Sequence, residues 1–272
     1  MNSTAPNSAT APHPAAVRGR LDLDGRPLSY LDFGGAGSPI VGLHGHLSEG
    51  SSFTPFAQTL EPKWRLIAPD QRGHGDSGRA ADYSREGYLA DIEALLDHLA
   101  LDRVVLLGHS LGAVNAYQFA ARHPQRVTAL INVEGAACLG LQGPNPFAFL
   151  LGQPYEATSR EQLLTGMGPA APYFADRLRQ NPDGTWRLPF HPQDMYHSED
   201  LVHGDHWADW TASDCPALLM HGTRGIIPAE QIEAMVRRRP GTVPIEIDAD
   251  HLIPTTAPDT FAAEANRFLA SL

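Results

Sequence analysis

The chain of 272 residues contains only two cysteines, Cys138 and Cys215, and no C-x-x-C pair. Two cysteines cannot form the disulfide framework of a small secreted domain, and the missing pair argues against a structural zinc site or a redox pair. The chain also lacks a run of about 18 consecutive apolar residues. We therefore expect no membrane-spanning helix and no membrane partner.

Positive charge is scarce, with 20 Lys and Arg residues against 31 Asp and Glu residues and a formal net charge of −11. A chain of this charge repels phosphate backbones, so we expect no nucleic-acid partner. Residues 1–17 are rich in Ser, Thr, Ala and Pro and lack the basic and apolar regions of a secretory signal, which predicts a disordered tail. We expect a cytoplasmic protein, for which a homodimer is allowed.

The hydrophobic fraction of 42% and the charged fraction of 19% are typical of a globular protein with a sizeable core. After a hairpin around Asp24-Gly25, continuous apolar runs alternate with helical patterns. These runs span residues 39–43, 64–68, 103–107, 127–133, 217–221 and 243–247. The alternation predicts an α/β fold with a mostly parallel sheet and helices on both of its faces.

Residues 136–214 interrupt this alternation, because they are rich in Pro, Gly and aromatic residues and contain no β-type run. A stretch of this length is seldom a bare loop in a compact domain. We predict a helical cap over the strand ends, inserted between two parts of an α/β core, 18–135 and 215–272. The side chains predicted to line an apolar cavity, or only to pack the cap on the core, are Phe147, Phe149, Leu150, Leu151, Tyr155, Tyr173 and Phe174.

The motif G-x-S-x-G occupies residues 108–112, between the apolar run 103–107 and a helical pattern over 113–122. In this setting a strand turns sharply into a helix and exposes the serine hydroxyl at the top of a sheet. The two glycines allow the turn, because a Cβ at either position would clash. Unpaired N–H groups at the start of the helix would stabilise an anion there. Ser110 is therefore the predicted nucleophile.

With these features the chain resembles an α/β-hydrolase. The resemblance depends on four pieces that occur in order: His44-Gly45 after the third strand, residues 70–78 after the fourth, residues 108–112 after the fifth, and Asp250-His251 after the last. It implies an eight-stranded sheet with a cap inserted after the sixth strand. It also implies a serine nucleophile, a distant histidine base, and an acid between them in the sequence.

The resemblance assigns the base to His251, because the family carries its base on the loop after the last strand. A base is required because a serine hydroxyl alone is a weak nucleophile. The backbone N–H of Leu111 is one expected donor to the oxyanion of the reaction. By resemblance the second donor is the N–H of His46, whose imidazole would then face the substrate.

The acid is where the sequence departs from the usual pattern of the family. Many relatives carry it at the position that corresponds to Gly225, and residues 221–229 contain no carboxylate. Some relatives carry the acid at the end of the strand after the nucleophile helix, where this chain has Glu134. We therefore predict that Glu134 orients His251. The alternatives that remain are Asp214, Asp248 and Asp250.

The sequence thus predicts a cofactor-free serine hydrolase that cleaves an ester, thioester or lactone bond of a small, largely apolar substrate. Hydrolysis or lysis of a carbon–carbon bond on the same triad is an alternative. A ligand-binding member of the fold without catalysis is another, because a fold does not determine a function. No metal is predicted, since the histidines of residues 136–214 show no ligand spacing.

Overall fold

The computed structural model describes residues 15–140 and 144–272. Most of the predicted tail lies outside these residues, although Val17 already begins the first strand. The first part of the core contains β1 (Val17–Leu23), β2 (Arg26–Asp32), β3 (Ser38–Leu43), α1 (Thr54–Ala57), β4 (Trp64–Pro69), α2 (Arg85–His98), β5 (Val104–His109), α3 (Leu111–Arg122) and β6 (Val127–Val133).

The segment after β6, called the insertion below, contains only short elements within the described residues. They are β7 (Cys138–Leu139), β8 (Glu156–Ala157), α4 (Arg160–Met167), α5 (Ala171–Phe174), β9 (Arg179–Gln180), β10 (Trp186–Arg187), α6 (Pro192–Val202), β11 (Gly204–Asp205) and α7 (Trp207–Thr211). The chain then returns to the core in β12 (Ala217–Arg224), α8 (Ala229–Arg238), β13 (Thr242–Asp250), α9 (Ile253–Thr256) and α10 (Pro258–Ala270).

Eight of the described strands form the central sheet, in the order β1-β2-β4-β3-β5-β6-β12-β13. Only the pairs β1/β2 and β2/β4 are antiparallel, and the other five pairs are parallel. The carboxyl ends of the parallel strands therefore meet at one edge of the sheet. Loops that follow parallel strands at such an edge are the usual place for a site in an α/β protein.

Apolar side chains fill both faces of this sheet, as the continuous apolar runs predict. Along β5, Val104 and Leu106 join one buried cluster, and Val105 and Leu107 join the other. The first cluster includes side chains of α2, α3 and α8, and the second includes side chains of α1 and α10. Helices thus cover both faces and hold the strands that carry the functional loops.

The sequence predicts a helical insertion. The structure differs from this prediction, because pairs of two-residue strands also form within the insertion. In the described residues, β8, β10 and β9 form a small antiparallel sheet, and β7 pairs with β11. Pairs this short leave no β-type apolar run in the sequence, so pattern analysis does not find them. Across residues 15–140 and 144–272, no helix has both the length and the apolar character needed to cross a membrane.

Candidate active site

Ser110 lies at the junction of β5 and α3 with a backbone φ of 53° and ψ of −119°. Non-glycine residues seldom adopt a positive φ, so the turn is strained. Its N–H donates to the Val133 carbonyl at 2.9 Å, which holds the strained residue against β6. A Cβ on Gly112 would lie 2.7 Å from the His44 carbonyl oxygen, so a glycine is required for α3 to approach β3 this closely.

Ser110, His251 and Glu134 form one hydrogen-bonded line at the carboxyl edge of the sheet. The Ser110 Oγ and the His251 Nε2 are 2.9 Å apart, and the His251 Nδ1 and the Glu134 Oε2 are 3.1 Å apart. An ionised carboxylate only accepts hydrogen bonds, so Nδ1 carries the proton and Nε2 is free to accept one from the hydroxyl. The structure therefore brings together the three side chains that the sequence analysis names.

The Glu134 carboxylate is 1% exposed and receives two backbone N–H groups besides His251. Gly222 donates to Oε1 at 2.7 Å and Ile226 donates to Oε2 at 3.0 Å. Burial acts to raise the pKa of Glu134, but the hydrogen bonds from His251 and from these two amides outweigh burial, and the pKa lies below its usual value. The group is thus held as an anion facing the imidazole.

The backbone at Glu134 has an unusual conformation, with a φ of 55°. The side chain of Asn132 bridges the turn, accepting from the Gly135 N–H at 2.8 Å and donating to the Gly135 carbonyl at 2.9 Å. The Glu134 N–H donates to the Met220 carbonyl of β12 at 2.9 Å. Asn132 is a positioning residue that the sequence analysis does not name.

The three alternative acids do not contact His251. Asp250 accepts from the Leu252 N–H at 2.8 Å, and Asp248 is exposed and pairs with Arg224. Asp214 is exposed and precedes β12, at the edge of the sheet opposite the site.

His109, the residue before Ser110, contacts the loop that carries His251. Its Nε2 lies 2.8 Å from the His251 carbonyl oxygen, so it donates to the backbone of this loop. Burial, reinforced by the nearby His251, lowers the pKa of His109 to about 3. The imidazole of His109 is therefore neutral at neutral pH.

The loop after β3 passes directly beside Ser110. A Cβ on Gly45 would lie 3.2 Å from the Ser110 Cβ. His44 fixes the loop, because its Nε2 accepts from the Gln71 N–H at 2.9 Å and its Nδ1 donates to the Gly45 carbonyl at 2.7 Å. The next residue, His46, and Leu111 at the start of α3 line the same cavity as Ser110.

A cavity of about 200 Å³ opens beside these groups. Among the described residues it is lined by His46, Ser110, Leu111, Val114, Glu134, Ala136, Leu139, Pro146, Phe147, Glu199, Val202, Ile226 and His251. Most of these side chains are apolar, and several belong to the insertion. The wall of the cavity is therefore mostly apolar, with a few polar side chains beside Ser110.

Of the side chains predicted to face the substrate, His46 and Phe147 line this cavity and pack together with ring centroids 5.3 Å apart. The other predicted side chains are not among those that line it. Phe149 is an exposed side chain, and Tyr155 lines a second cavity together with His191. Tyr173 packs against Phe174 and under the Arg177 guanidinium. The composition of the insertion indicates aromatic packing without revealing which rings face the nucleophile.

A family model described as alpha/beta hydrolase fold matches residues 38–258. The chain belongs to the α/β-hydrolase fold family. The matched region includes the loop after β3, the turn at Ser110, Glu134 and His251, so the family assignment and the site geometry concern the same residues.

Relatives within this family have several activities. A 2-(acetamidomethylene)succinate hydrolase of Mesorhizobium japonicum is 34% identical over 116 residues, which are 42% of this chain and 41% of the relative. A 2-hydroxy-6-oxo-2,4-heptadienoate hydrolase of Pseudomonas putida is 38% identical over 121 residues, 42% of this chain and 43% of the relative. The aligned region thus spans less than half of each relative.

A solved structure of a marine microorganism esterase has a TM-score of 0.79 to this chain. It is 23% identical and covers 89% of this chain and 98% of its own. The likeness shows the α/β-hydrolase fold and leaves the substrate open.

One carboxylate of this α/β-hydrolase site, that of Glu199, is not marked by any motif in the sequence. Glu199 of α6 reaches the cavity wall, where its Oε2 lies 3.0 Å from the His46 Nδ1. Its Oε1 lies 3.1 Å from the Nε2 of His203, which directly follows the end of α6. The side chain of Glu199 is 14% exposed. In the part of the chain that the structure describes, no group of three or more His, Cys, Asp or Glu side chains is arranged to hold a metal ion.

Proposed function

We propose that the protein is a serine hydrolase that cleaves an ester, thioester or lactone bond of a small, largely apolar substrate. The observation that carries the proposal is the line from Ser110 through His251 to Glu134 at the wall of the cavity of about 200 Å³. A hydroxyl within 2.9 Å of an imidazole that is oriented by a carboxylate is the arrangement that activates a serine.

In the first half of the proposed reaction, the Ser110 Oγ attacks the carbonyl carbon of the substrate while His251 takes the hydroxyl proton at Nε2. The carbonyl oxygen becomes an oxyanion, and the N–H groups of Leu111 and His46 donate to it. The carbon–oxygen or carbon–sulfur bond then breaks. The leaving group takes the proton from His251, and the acyl group stays on Ser110.

In the second half, a water molecule gives a proton to His251 and attacks the acyl carbon. The tetrahedral intermediate collapses, the bond to the Ser110 Oγ breaks, and the serine recovers its proton. Glu134 accepts the Nδ1 hydrogen bond throughout and stabilises the imidazolium in both halves. The steps use side chains, backbone groups and water, so we propose no cofactor.

We also propose that residues 136–214 act as a cap that closes over the cavity and contributes to substrate choice. The support is that Leu139, Pro146, Phe147, Glu199 and Val202 line the same cavity as Ser110. A cap in this place excludes water from the reaction and gates substrate entry.

A second candidate is hydrolysis of a carbon–carbon bond by the same three residues. The similarity to the heptadienoate hydrolase of Pseudomonas putida favours it. A substrate panel separates the two candidates. Hydrolysis of p-nitrophenyl esters or lactones indicates acyl transfer, and hydrolysis of 2-hydroxy-6-oxo-2,4-heptadienoate indicates carbon–carbon cleavage.

The experiment that tests the proposal compares the wild type with Ser110→Ala. We expect a fluorophosphonate probe to label the wild type at Ser110, and turnover of p-nitrophenyl esters to disappear in Ser110→Ala apart from a residual rate about 10³-fold above water. Ser271→Ala, at the exposed C-terminus, is the matched control and keeps full turnover. A folded Ser110→Ala protein with wild-type turnover, or a wild type that neither reacts with the probe nor turns over any substrate, overturns the proposal.

A further inference from the structure

A chain of polar side chains connects the core to the insertion and reaches the cavity of the candidate site. The Tyr88 hydroxyl lies 2.8 Å from the Ser198 Oγ, which lies 2.9 Å from the His46 Nε2. The His46 Nδ1 lies 3.0 Å from the Glu199 carboxylate, where the chain reaches the cavity. Tyr88 and Ser198 are buried, and the His46 side chain is 4% exposed.

The donor and acceptor of each hydrogen bond from Tyr88 to Glu199 follow from the protonation states of His46 and Glu199. Burial lowers the pKa of His46 despite the neighbouring carboxylate, so the imidazole is neutral and has one proton. The pKa of Glu199 is also lowered, because the hydrogen bonds from His46 and His203 outweigh the effect of burial. The carboxylate accepts from Nδ1–H, so Nε2 accepts from the Ser198 hydroxyl, and Ser198 in turn accepts from Tyr88.

Glu199 is therefore held as an anion with two protein donors. A carboxylate offers about four acceptor sites, so capacity remains on the side that faces the cavity. The described residues that line the cavity include no Lys or Arg, and the residues outside the described ranges contain neither. The guanidinium of Arg85 lies over the Tyr88 ring, 4.7 Å from its centroid, and donates to Asn115 at 2.7 Å, so it does not reach the cavity.

We propose that Glu199 determines the specificity of this site: it selects substrates that carry an ammonium or another hydrogen-bond donor on an otherwise apolar body, and it disfavours substrates with a carboxylate. The inference deepens the proposed serine hydrolase function and rests on it. The anion attracts a donor and repels a second anion, and the low exposure of the wall strengthens both effects.

The test uses three p-nitrophenyl esters of similar length, which differ in the charge at the far end of the acyl chain. They are the heptanoate, which is neutral, the 6-aminohexanoate, which is cationic, and the adipate half-ester, which is anionic. We expect kcat/KM of the wild type to be at least about tenfold higher for the cationic ester than for the anionic one. In Glu199→Gln we expect this ratio to fall about tenfold.

Glu161→Gln is the matched control, because it removes the same charge from an exposed position on α4. We expect this variant to keep the wild-type ratio. A Glu199→Gln variant in which all three esters decline equally shows a structural role only and overturns the inference. A wild type that prefers the anionic ester overturns it whether or not the variant folds.

The outcomes also separate this inference from the proposed function. If the heptanoate is hydrolysed through Ser110 and the charge preference is absent, only the role of Glu199 is wrong. If none of the esters is hydrolysed and Ser110 resists the fluorophosphonate probe, the proposed function fails and the inference falls with it.

Discussion

The Glu134 carboxylate fills the space that a side chain on Gly225 would need. A Cβ built on Gly225 would lie 2.7 Å from both the Cδ and the Oε2 of Glu134. Real Cβ atoms do not approach other atoms this closely, so residue 225 cannot carry an acid while Glu134 is present. The usual position of the acid in the family and the position proposed here thus lead to the same point in space from two adjacent strands, β12 and β6.

The shared position of the two acids predicts how the activity changes in Glu134→Gln and in a double variant that moves the acid to residue 225. The amide has one acceptor oxygen, whereas the carboxylate accepts from Gly222, Ile226 and His251. We expect kcat for p-nitrophenyl esters to fall by on the order of 10⁴-fold, since the imidazole loses its orienting acceptor. Moving the acid in Glu134→Gly/Gly225→Asp should recover at least about tenfold over Glu134→Gly alone, because glycine at residue 134 clears the space and tolerates the φ of 55°.

Steady-state kinetics on the three variants check this prediction, with circular dichroism as a control for folding. Asp250→Asn is the matched comparison, because Asp250 caps the loop after β13 and does not touch His251. Near wild-type turnover in Glu134→Gln, together with an inactive Asp250→Asn, would show that another carboxylate is the acid.

His109 provides a prediction on the pH dependence of stability. The pKa of this side chain is about 3 in the folded protein and about 6.5 in the unfolded chain. Between these values the unfolded chain binds a proton that the folded protein does not, so stability falls as the pH falls below about 6.5. The contribution approaches about 1.4 kcal/mol per pH unit. His109→Gln keeps a donor for the His251 carbonyl and removes this slope.

Urea unfolding of the wild type and His109→Gln between pH 4 and pH 8 measures the effect. The other buried histidines, such as His44 with a pKa of about 4, titrate in both proteins and cancel in the difference. We expect the wild type to lose stability relative to the variant as the pH drops. A difference in the free energy of unfolding that does not depend on pH contradicts the assignment of a depressed pKa to His109.

Much of the core follows from local sequence patterns. The run 127–133 predicts β6 with the bounds that the structure has, and the turn at Asp24-Gly25 joins β1 to β2 with positive φ at both residues. The turn at Ser110 is predictable for the same reason, because strand, glycines and helix are adjacent in the chain. The α/β architecture and its mostly parallel sheet are confirmed.

Contacts between distant segments could not be predicted in the same way. His46 and Ser198 are 152 positions apart, and α6 reaches the cavity only because the insertion folds back over the sheet. The insertion consists of short elements, so no periodicity shows which way Tyr155 or Tyr173 points. The sequence analysis does not predict helix α8. Its two buried side chains, Ile232 and Met235, are three positions apart, a spacing that is compatible with a helix.

The different positions of Phe147 and Tyr173 predict different effects of truncation. Phe147 lines the cavity and packs against His46, whereas Tyr173 lies between Phe174 and Arg177. Phe147→Ala should enlarge the cavity and shift the preference among p-nitrophenyl esters toward longer acyl chains, by about tenfold in the ratio of kcat/KM. Tyr173→Ala should leave this ratio unchanged. Equal shifts in both variants would mean that the insertion affects selectivity through its overall packing.

Strain at Ser110 predicts that a glycine variant is more stable than an alanine variant at this position. Its φ of 53° and ψ of −119° cost about 1–3 kcal/mol for a residue with a Cβ, and glycine avoids this cost. Glycine also loses about 0.5–1 kcal/mol through the greater freedom of the unfolded chain, so we expect Ser110→Gly to be about 1 kcal/mol more stable than Ser110→Ala. Both variants lack the hydroxyl and are inactive, so the comparison isolates the backbone. Thermal unfolding should give a midpoint about 2–4 °C higher for the glycine variant. A lower midpoint for Ser110→Gly than for Ser110→Ala would show that the turn between β5 and α3 stores no strain.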